Sequence, residues 1–338
     1  MDDLAIRKDR RAGRITFTRP QALNALTHDM ALAIEAALNA WRNDPEVRLV
    51  VIDAEGERAF CAGGDIAALW RAAKAGDHAV GRRFFADEYR MNAAVANYRK
   101  PVVAFMQGFV MGGGVGVGGN ARLRIVGDST QIAMPESGIG LIPDVGGTWL
   151  LSRAPGRIGE YLGLTGARMG PGDAIHAGFA DRWLPEADWP EIIDRLAETG
   201  DASVVPQGPG LDAPLERRDL SAFGQATVPE IMAALEAAGD EETLKVMRSN
   251  SPLSMAATLK MVRAARGDRR IEQSLSREHR FTWRATEEGD FMEGVRAQLI
   301  DKDRKPVWSA PADRAKVEAM LAPLGADELP WDDTEGRG

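Results

Sequence analysis

Glycine dominates one stretch of the chain, residues 107–148, which has the sequence QGFVMGGGVGVGGNARLRIVGDSTQIAMPESGIGLIPDVGGT. The apolar run at residues 101–106 leads into it and predicts a buried strand. Gly112, Gly113 and Gly114 come next, and glycine lets a backbone approach a ligand closely because it has no Cβ. The first N–H groups of a helix have no partner inside that helix. A strand, a glycine turn and a helix of small residues therefore favour a site for a negatively charged oxygen.

A second unit of this kind lies upstream. Residues 49–52 predict a buried strand, and the loop FCAGGDI comes after it at residues 60–66. Asp65 is a candidate N-cap for a helix over residues 66–75. The N–H groups of Gly64 and Gly113, from two strand–helix loops, can converge on one oxygen as an oxyanion hole. On the residues alone, an equal alternative is that both glycines only permit tight packing of strand and helix.

Two carboxylates accompany the second glycine cluster. Glu136 stands in MPES, between a predicted strand at residues 131–133 and a glycine-rich loop, and Asp144 stands in IPDV before Gly146 and Gly147. The simpler interpretations are a solvated turn glutamate and an N-cap aspartate. If the two carboxylates lie close together, each tends to raise the pKa of the other, which suits a group that takes and returns a proton.

Charge and composition exclude several functional classes. The chain has 42 Lys and Arg against 50 Asp and Glu, a net charge of −8, which argues against general binding of nucleic acids or membrane surfaces. A polyanionic ligand that needs only a local basic patch stays compatible with this balance. Cys61 is the single cysteine, so no intrachain disulfide forms, and it has no basic partner nearby in sequence. The four histidines, His28, His78, His176 and His279, have no metal or triad spacing, so no metal site is expected.

The N-terminal residues and the hydropathy predict the cellular location. No apolar run is long enough to span a bilayer. Residues 1–13, MDDLAIRKDRRAG, lack an apolar signal core, and their three aspartates argue against a transit peptide. We therefore expect a cytoplasmic protein with no membrane partner.

The remaining patterns predict an α/β fold. Strands are expected at residues 14–18 and 122–126. One helix is expected to begin after the N-cap Thr27 and to end near residue 41, and another is expected over residues 79–98. Strands that alternate with helices through short loops favour a mostly parallel sheet. Helices are also expected at residues 228–238, 241–249, 252–266 and 271–287. This pattern predicts a core with the active site at residues 1–200, a connecting segment at 201–227 and a helical C-terminal region at 228–338.

Three segments in order, AFCAGGDI, KPVVAFMQGFVMGGGVG and MPESGIGLIPDVGG, resemble the crotonase (enoyl-CoA hydratase/isomerase) superfamily. Within it the chain is most similar to the 3-hydroxyisobutyryl-CoA hydrolases. The resemblance covers residues 10–185 and resumes at 251–253, 291–297 and 299–308. It implies a crotonase-like β-β-α spiral core with a helical C-terminal region. It also implies an acyl-CoA substrate, hydrolysed to 3-hydroxyisobutyrate and CoA in valine catabolism, and no cofactor apart from the coenzyme A of the substrate.

The resemblance also assigns roles to residues. It makes Gly64 and Gly113 the oxyanion donors and Glu136 the catalytic glutamate, as nucleophile or as general base on water. It implies that Asp144 positions the substrate hydroxyl or the water, and that Glu88 contacts the substrate, with Asp87 as a competitor. It places the backbone of residues 62–66 along coenzyme A, so that the expected binding residues there are Ala62, Gly63, Asp65 and Ile66.

One departure from the superfamily pattern separates the possible activities. Enoyl-CoA hydratases carry a second glutamate at the position of Gly116, and addition of water to a C=C bond uses two carboxylates around one water. An enoyl-CoA hydratase or isomerase is therefore the alternative that Gly116 opposes. A non-catalytic acyl-CoA-binding protein is opposed by Glu136 and Asp144, which simple binding does not need. A dinucleotide-binding oxidoreductase lacks the acidic residue expected about twenty positions after the glycine turn. A homo-oligomer is compatible with the sequence, which has no feature that decides it.

Overall fold

A computed structural model describes residues 3–309 and 314–331 of the chain. Its strands in chain order are β1 (Leu4–Asp9), β2 (Ala12–Phe17), β3 (Leu49–Ala54), β4 (Ala59–Cys61), β5 (Val102–Met106), β6 (Phe109–Met111), β7 (Leu123–Val126), β8 (Gln131–Ala133) and β9 (Arg182–Trp183). Each strand predicted from the sequence is present, with bounds shifted by a few residues. Strands β1, β4, β6 and β9 were not predicted. The exposed residues of β1 include Arg7 and Lys8 and the segment lacks an apolar run, while the other three strands have only two or three residues.

The helices begin near the caps expected from the sequence. The Thr27 side chain accepts a hydrogen bond from the Met30 amide at 3.2 Å and so caps the first helix. The α-helices are α1 (His28–Trp41), α2 (Ile66–Lys74), α3 (His78–Ala96), α4 (Gly147–Arg153), α5 (Ile158–Thr165), α6 (Pro171–His176), α7 (Trp189–Thr199), α8 (Val228–Ala238), α9 (Glu241–Ser249), α10 (Pro252–Ala265), α11 (Ile271–Glu288), α12 (Phe291–Val295) and α13 (Arg314–Met320). Shorter turns include a 3₁₀ turn at Glu136–Ile139 and π-helical turns at Val115–Gly119 and Arg296–Ile300.

The strands form two sheets. The larger has the order β1-β2-β3-β5-β7-β9, in which β1 and β2 are antiparallel and the other pairs are parallel. The smaller has the order β4-β6-β8 and is parallel throughout. Successive turns of the chain therefore add one strand to each sheet: β3 with β4, β5 with β6, and β7 with β8. The predicted α/β class with a mostly parallel sheet is confirmed.

The central strands are buried on both faces, which explains their continuous apolar runs. In β3, Val50 and Ile52 join the main core, while Leu49 and Val51 pack into a second cluster on the opposite face. Helix α7 covers this second cluster, where the ring of Trp189 lies 5.4 Å from that of Phe105. A rigid double-faced sheet of this kind fixes where each strand ends, and hence where the next loops begin.

The C-terminal helices pack on the core. Tyr89 of α3 and Thr282 of α11 are both buried and approach to 3.3 Å through their hydroxyl oxygens. Trp70 of α2 donates its ring N–H to the carbonyl of Met292 at 2.9 Å. The expected connecting segment at residues 201–227 consists of short 3₁₀ turns, and its Phe223 is buried edge-on against Tyr161. The last residues of the expected C-terminal region, 332–338, lie outside the described part of the chain.

None of the helices in residues 3–309 and 314–331 combines the length and the apolar composition needed to cross a bilayer.

Candidate active site

The small sheet brings the sequence motifs together. Its three strands are parallel, so their carboxyl ends point to the same edge. Strand β4 ends at Cys61 and leads to Gly63 and Gly64, and β6 ends at Met111 and leads to the glycine turn. Strand β8 ends at Ala133, three residues before Glu136. A cavity of about 350 Å³ lies at this edge. It is lined by residues of these three loops, of α3 and of the C-terminal region, including Asn250 and Gln298.

The first glycine loop is held by the segment before α1. Leu26 and Gly64 form an isolated parallel β-bridge, and the Leu26 amide donates to the Gly63 carbonyl at 2.9 Å. The Asp65 amide donates back to the Leu26 carbonyl at 2.8 Å. In this pairing the Gly63 carbonyl and the Asp65 amide face Leu26. The N–H of Gly64, which lies between them, therefore points away from Leu26. Gly63 has a φ of +115°, which strongly favours glycine.

The second glycine turn is closely packed against its neighbours. A Cβ at Gly114 would lie 2.1 Å from the Cys61 carbonyl oxygen. A Cβ at Gly113 would lie 2.8 Å from Glu88 Oε1 and 3.4 Å from the amide nitrogen of Gly64. Gly64 and Gly113 therefore face each other across the two loops. Among the described residues, the backbone hydrogen bonds of loops, turns and helix caps do not include one donated by the amide of Gly64 or of Gly113.

Glu136 lies at the start of the 3₁₀ turn after β8. Its side chain is buried, and Oε2 has no hydrogen-bond partner among the described residues. A Cβ at Gly112 would lie 3.0 Å from Glu136 Oε1, so the carboxylate is directly beside the glycine turn. Burial raises the pKa of Glu136 well above its ordinary value, and the charge of Asp144 adds to this effect. The interpretation of Glu136 as a solvated turn residue is wrong.

Asp144 is the second buried carboxylate of the cavity. Its Oδ2 accepts a hydrogen bond of 2.6 Å from the hydroxyl of Tyr89. Burial raises the pKa of Asp144 to about 6, while the bond from Tyr89 opposes the rise. Asp144 does not cap α4 with its side chain, since the N-cap of that helix is Gly146. The alternative role as an N-cap is therefore wrong.

A third carboxylate, Glu88, reaches the same cavity from α3. It is almost fully buried, and Oε1 has no hydrogen-bond partner among the described residues. Burial raises its pKa well above the ordinary value, and Asp144 contributes a smaller rise. The competitor Asp87 instead pairs with His28 Nε2 at 2.5 Å and does not line the cavity.

The loop that carries Asp144 is strained and braced. Val145 has a φ of +55°, a left-handed conformation that β-branched residues rarely adopt. Asn120 Nδ2 donates to the Val145 carbonyl at 2.9 Å, and Glu278 of α11 accepts from the Gly146 amide at 2.8 Å. Glu278 is fully buried and also accepts bonds from the amide and hydroxyl of Thr148. Burial raises the pKa of Glu278 to about 7.

The predicted coenzyme A segment is only partly at the cavity. Ala62, Gly63, Gly64 and Ile66 line it. Asp65 does not, and its carboxylate lies 3.6 Å from Arg19 Nη1. Asp65 occupies the N-cap position of α2, but its side chain makes no capping hydrogen bond.

Gly116 lies behind the cavity wall in a closed space. A Cβ there would lie 2.7 Å from Asn92 Nδ2 and 2.8 Å from Val145 Cβ. A carboxylate on this residue would therefore require both neighbours to move. The position at which a hydratase would carry its second glutamate is closed in this chain.

Other reactive side chains lie apart from this chemistry. Cys61 is buried, and burial raises the pKa of its thiol to about 12, which makes it a core residue as expected. Burial lowers the pKa of His279 to about 4. Within residues 3–309 and 314–331, the side chains of His, Cys, Asp and Glu form no cluster suited to a metal ion.

Sequence reasoning missed several residues of the site. Tyr89 comes directly after Glu88 in FFADEYR, so a hydroxyl near the predicted carboxylate was the available signal. Glu278 stands in the charged run SREHR, which is typical of a solvated helix face. Asn250 and Gln298 line the cavity from the C-terminal region, and nothing in their local sequence indicates this.

Comparison with known proteins decides the family. A model of the family described as "Enoyl-CoA hydratase/isomerase" matches residues 12–322. The chain belongs to this family. The predicted crotonase superfamily and the predicted crotonase-like α/β fold are thus confirmed.

Relatives within the enoyl-CoA hydratase/isomerase family carry different names. The mitochondrial 3-hydroxyisobutyryl-CoA hydrolase of Gallus gallus is 36% identical over 351 residues, covering 97% of this chain and 90% of that protein. A crystal structure described as an enoyl-CoA hydratase from Rhodobacter sphaeroides is 54% identical, with a TM-score of 0.94, and covers 97% of this chain and 100% of that chain. A crystal structure described as a carnitinyl-CoA dehydratase from Mycobacterium thermoresistibile is 39% identical, with a TM-score of 0.91, and covers 98% of this chain and 100% of that chain.

The curated relatives confirm the predicted class of acyl-CoA thioester hydrolase, and the family supports an acyl-CoA substrate. They contradict the expected cytoplasmic location. The similar hydrolases of Gallus gallus, Rattus norvegicus and Homo sapiens are named mitochondrial. Their names point to mitochondria rather than to the cytoplasm, so the location inferred from residues 1–13 is wrong.

Proposed function

We propose that this protein hydrolyses 3-hydroxyisobutyryl-CoA to 3-hydroxyisobutyrate and CoA, as the names of its curated relatives state for those proteins. The observation that carries the choice is the closed space at Gly116. A hydratase of this superfamily needs a carboxylate there, whereas hydrolysis of a thioester does not. No further cofactor enters the proposal, because coenzyme A is part of the substrate.

The proposed reaction begins with the thioester carbonyl at the two glycine loops. Its oxygen accepts hydrogen bonds from the amides of Gly64 and Gly113, which stabilise the negative charge that develops on attack. The near contact between these two residues supports this placement. The acyl group then extends toward Glu88, Glu136 and Asp144, which all line the same cavity.

Glu136 attacks the carbonyl carbon or removes a proton from the attacking water. In the first route, the C–S bond breaks as a mixed anhydride forms, the thiolate of coenzyme A takes up a proton, and water then cleaves the anhydride. In the second route, Glu136 takes a proton from the water as it adds to the carbonyl carbon, the same C–S bond breaks, and this proton passes to the departing thiolate. The thiolate is a good leaving group, which fits a cavity that lacks lysine, arginine and histidine among its described lining residues. Asp144 and Glu88 orient the 3-hydroxyl or the water.

The second candidate function is enoyl-CoA hydration, which the description of the Rhodobacter sphaeroides structure favours. The site offers one way to achieve it, because Glu88 and Glu136 face one cavity and together could replace the pair of glutamates. Hydrolysis breaks the C–S bond of the thioester, whereas hydration adds water to the C=C bond of the acyl group. One experiment can therefore separate the two activities.

The deciding experiment supplies purified protein with 3-hydroxyisobutyryl-CoA and, separately, with crotonyl-CoA. Free thiol is measured with a thiol reagent, and hydration is measured by the loss of enoyl absorbance. We expect fast thiol release from the first substrate and no hydration of the second. Hydration of crotonyl-CoA without thiol release from either substrate would overturn the proposal and favour the second candidate.

A further inference from the structure

The hydroxyl of Tyr89 reaches the candidate active site through Asp144. It lies on α3, is fully buried and does not line the cavity. Its hydroxyl donates to Asp144 Oδ2 at 2.6 Å and lies 3.3 Å from the hydroxyl of Thr282 on α11. The ring is held edge-on by His279, with ring centroids 6.1 Å apart. The phenol of Tyr89 is thus held by Asp144, Thr282 and His279, and the carboxylate of Asp144 is the partner of its hydroxyl that lines the cavity.

The three carboxylates of the cavity differ in their hydrogen bonding. Asp144 has the hydroxyl of Tyr89 as a donor, whereas Glu88 and Glu136 each bury one oxygen without a partner among the described residues. A hydrogen-bond donor to a carboxylate favours its ionised form, and burial without a donor favours the neutral form. The geometry therefore distinguishes Asp144 from its two neighbours.

Electrostatic repulsion prevents full ionisation of this cluster. Asp144 is faced by Glu88 from α3, by Glu136 from the turn after β8 and by Glu278 from α11, and each of these carboxylates has a raised pKa. His279 supplies no compensating charge near neutral pH, since burial lowers its pKa to about 4. Among the described residues that line the cavity, none is a lysine or arginine. Buried like charges without cations do not ionise together.

We propose that Tyr89 is a positioning residue whose hydroxyl fixes the negative charge of the active-site carboxylates on Asp144, so that Glu136 keeps its proton until substrate binds. The location of the charge is set by the contacts and does not depend on the acyl-CoA reaction. Its catalytic consequence rests on the proposed hydrolysis: Glu136 must lose its proton before it can attack or act as a base, and the ionised Asp144 is the neighbouring group that can accept this proton.

The test reads the ionisation of Asp144 directly. The protein is labelled with ¹³C at the aspartate carboxyl carbons, and the Asp144 resonance is assigned by its loss in Asp144→Asn. Its titration midpoint is then compared in wild type, Tyr89→Phe and Tyr98→Phe. Tyr98 is the matched control, because its buried hydroxyl also donates one short bond, of 2.7 Å, but to the carbonyl of Leu38.

We expect Tyr89→Phe to raise the midpoint of Asp144 by about one pH unit, the size expected for loss of one hydrogen bond to a charged group. Tyr98→Phe should leave it unchanged. An equal midpoint in wild type and in folded Tyr89→Phe would overturn the inference. A purely structural role of Tyr89 would lower the stability of Tyr89→Phe and leave the Asp144 midpoint unchanged.

A second variant covers the case in which Tyr89→Phe does not fold. The chain has three tyrosines, so 3-fluorotyrosine can replace all of them, and a background of Tyr98→Phe with Tyr161→Phe confines the label to Tyr89. Fluorination makes the phenol a stronger donor, so the Asp144 midpoint should fall. A midpoint that stays the same or rises would contradict the inference. Because this readout needs no turnover, an inactive thioesterase would refute only the proposed function.

Discussion

Glu278 accepts a hydrogen bond of 2.8 Å from the amide of Gly146, across a sequence separation of 132 residues. The same carboxylate accepts from the amide and hydroxyl of Thr148 and thereby takes the place of an N-cap for α4. Gly146 lies two residues after Asp144, so this bond from α11 also fixes the loop that carries the catalytic candidate. A helix outside the predicted core thus determines the geometry inside it.

We expect Glu278→Gln to lower the free energy of unfolding by about 2 kcal/mol at pH 5, because an amide NH₂ cannot accept from the loop donors. The substitution should also change the pH dependence of stability. The pKa of Glu278 is raised from 4.5 to about 7, so the native state holds a proton that the unfolded state releases. This contribution is present below pH 4.5 and is lost as pH rises through 7, amounting to about 3 kcal/mol.

Urea unfolding at a series of pH values measures both effects. The wild type should lose stability between pH 5 and 7, and Glu278→Gln should lose less. Glu288→Gln, an exposed position on the same helix, is the control and should behave like the wild type. Parallel curves for wild type and Glu278→Gln would show that Glu278 is not the responsible group.

Replacing Glu136 by Gln should abolish most turnover while acyl-CoA binding survives. We expect kcat for thiol release to fall at least about 100-fold, the usual range for loss of a general base, with little change in Kd. Steady-state kinetics and calorimetric binding of a non-hydrolysable CoA thioether measure the two quantities. The exposed residue Glu57 provides the control Glu57→Gln. Full activity in Glu136→Gln would refute the assigned role.

The pH profile gives a separate test of Glu136. The acting form is the carboxylate, and burial raises its pKa well above the ordinary value. The rate should therefore rise with pH, along a limb at higher pH than that of an exposed glutamate. Asp144→Asn removes a neighbouring charge that raises this pKa, so the limb should move to lower pH even as the maximal rate falls. A limb near pH 4.5 in the wild type would disagree with a buried carboxylate at this position.

Gly113→Ala should reduce the rate without unfolding the protein. The added Cβ would lie 2.8 Å from Glu88 Oε1 and 3.4 Å from the Gly64 nitrogen, in the proposed binding place of the thioester carbonyl oxygen. The end of the Glu88 side chain can shift, so the loss should appear mainly in kcat, by about 100-fold or more. Gly210→Ala, where an added Cβ meets no atom within 4 Å, is the control. Equal activity in the two variants would argue against an oxyanion role for Gly113.

Gly116→Glu should not create a hydratase. Its Cβ would meet Asn92 Nδ2 at 2.7 Å and Val145 Cβ at 2.8 Å, and overpacking of this kind costs about 1–3 kcal/mol. We expect a lower Tm, less thiol release and no hydration of crotonyl-CoA. Gly116→Ala, which adds only the clashing atom, separates the packing effect from that of the charge. A stable Gly116→Glu protein with raised thioesterase activity would contradict the steric closure of this position.

Residues that come directly after a strand are the part of the site best predicted from the sequence. Gly64, Gly113 and Glu136 lie within three residues of β4, β6 and β8, and the parallel topology brings them together. The glycine motifs locate Gly64 and Gly113 in the sequence, since β8 is the only one of these three strands that the sequence predicts. Tyr89 and Glu278 could not be found in this way, because their roles arise from the packing of α3 and α4 against α11. Helical periodicity predicts α11, but it does not identify the helix face that meets a loop more than a hundred residues earlier. Asp65 shows the converse error, since its motif is at the cavity while its side chain turns toward Arg19.

The walls of the cavity also set an order of events during synthesis. Asn250 and Gln298 line the same space as Gly64 and Glu136, yet they leave the ribosome long after the strands that carry those residues. While only the first 200 residues have been synthesised, the cavity therefore lacks two of its lining residues. The complete cavity can therefore form only after residue 298 has been synthesised, and chains that end before this residue should lack thioesterase activity.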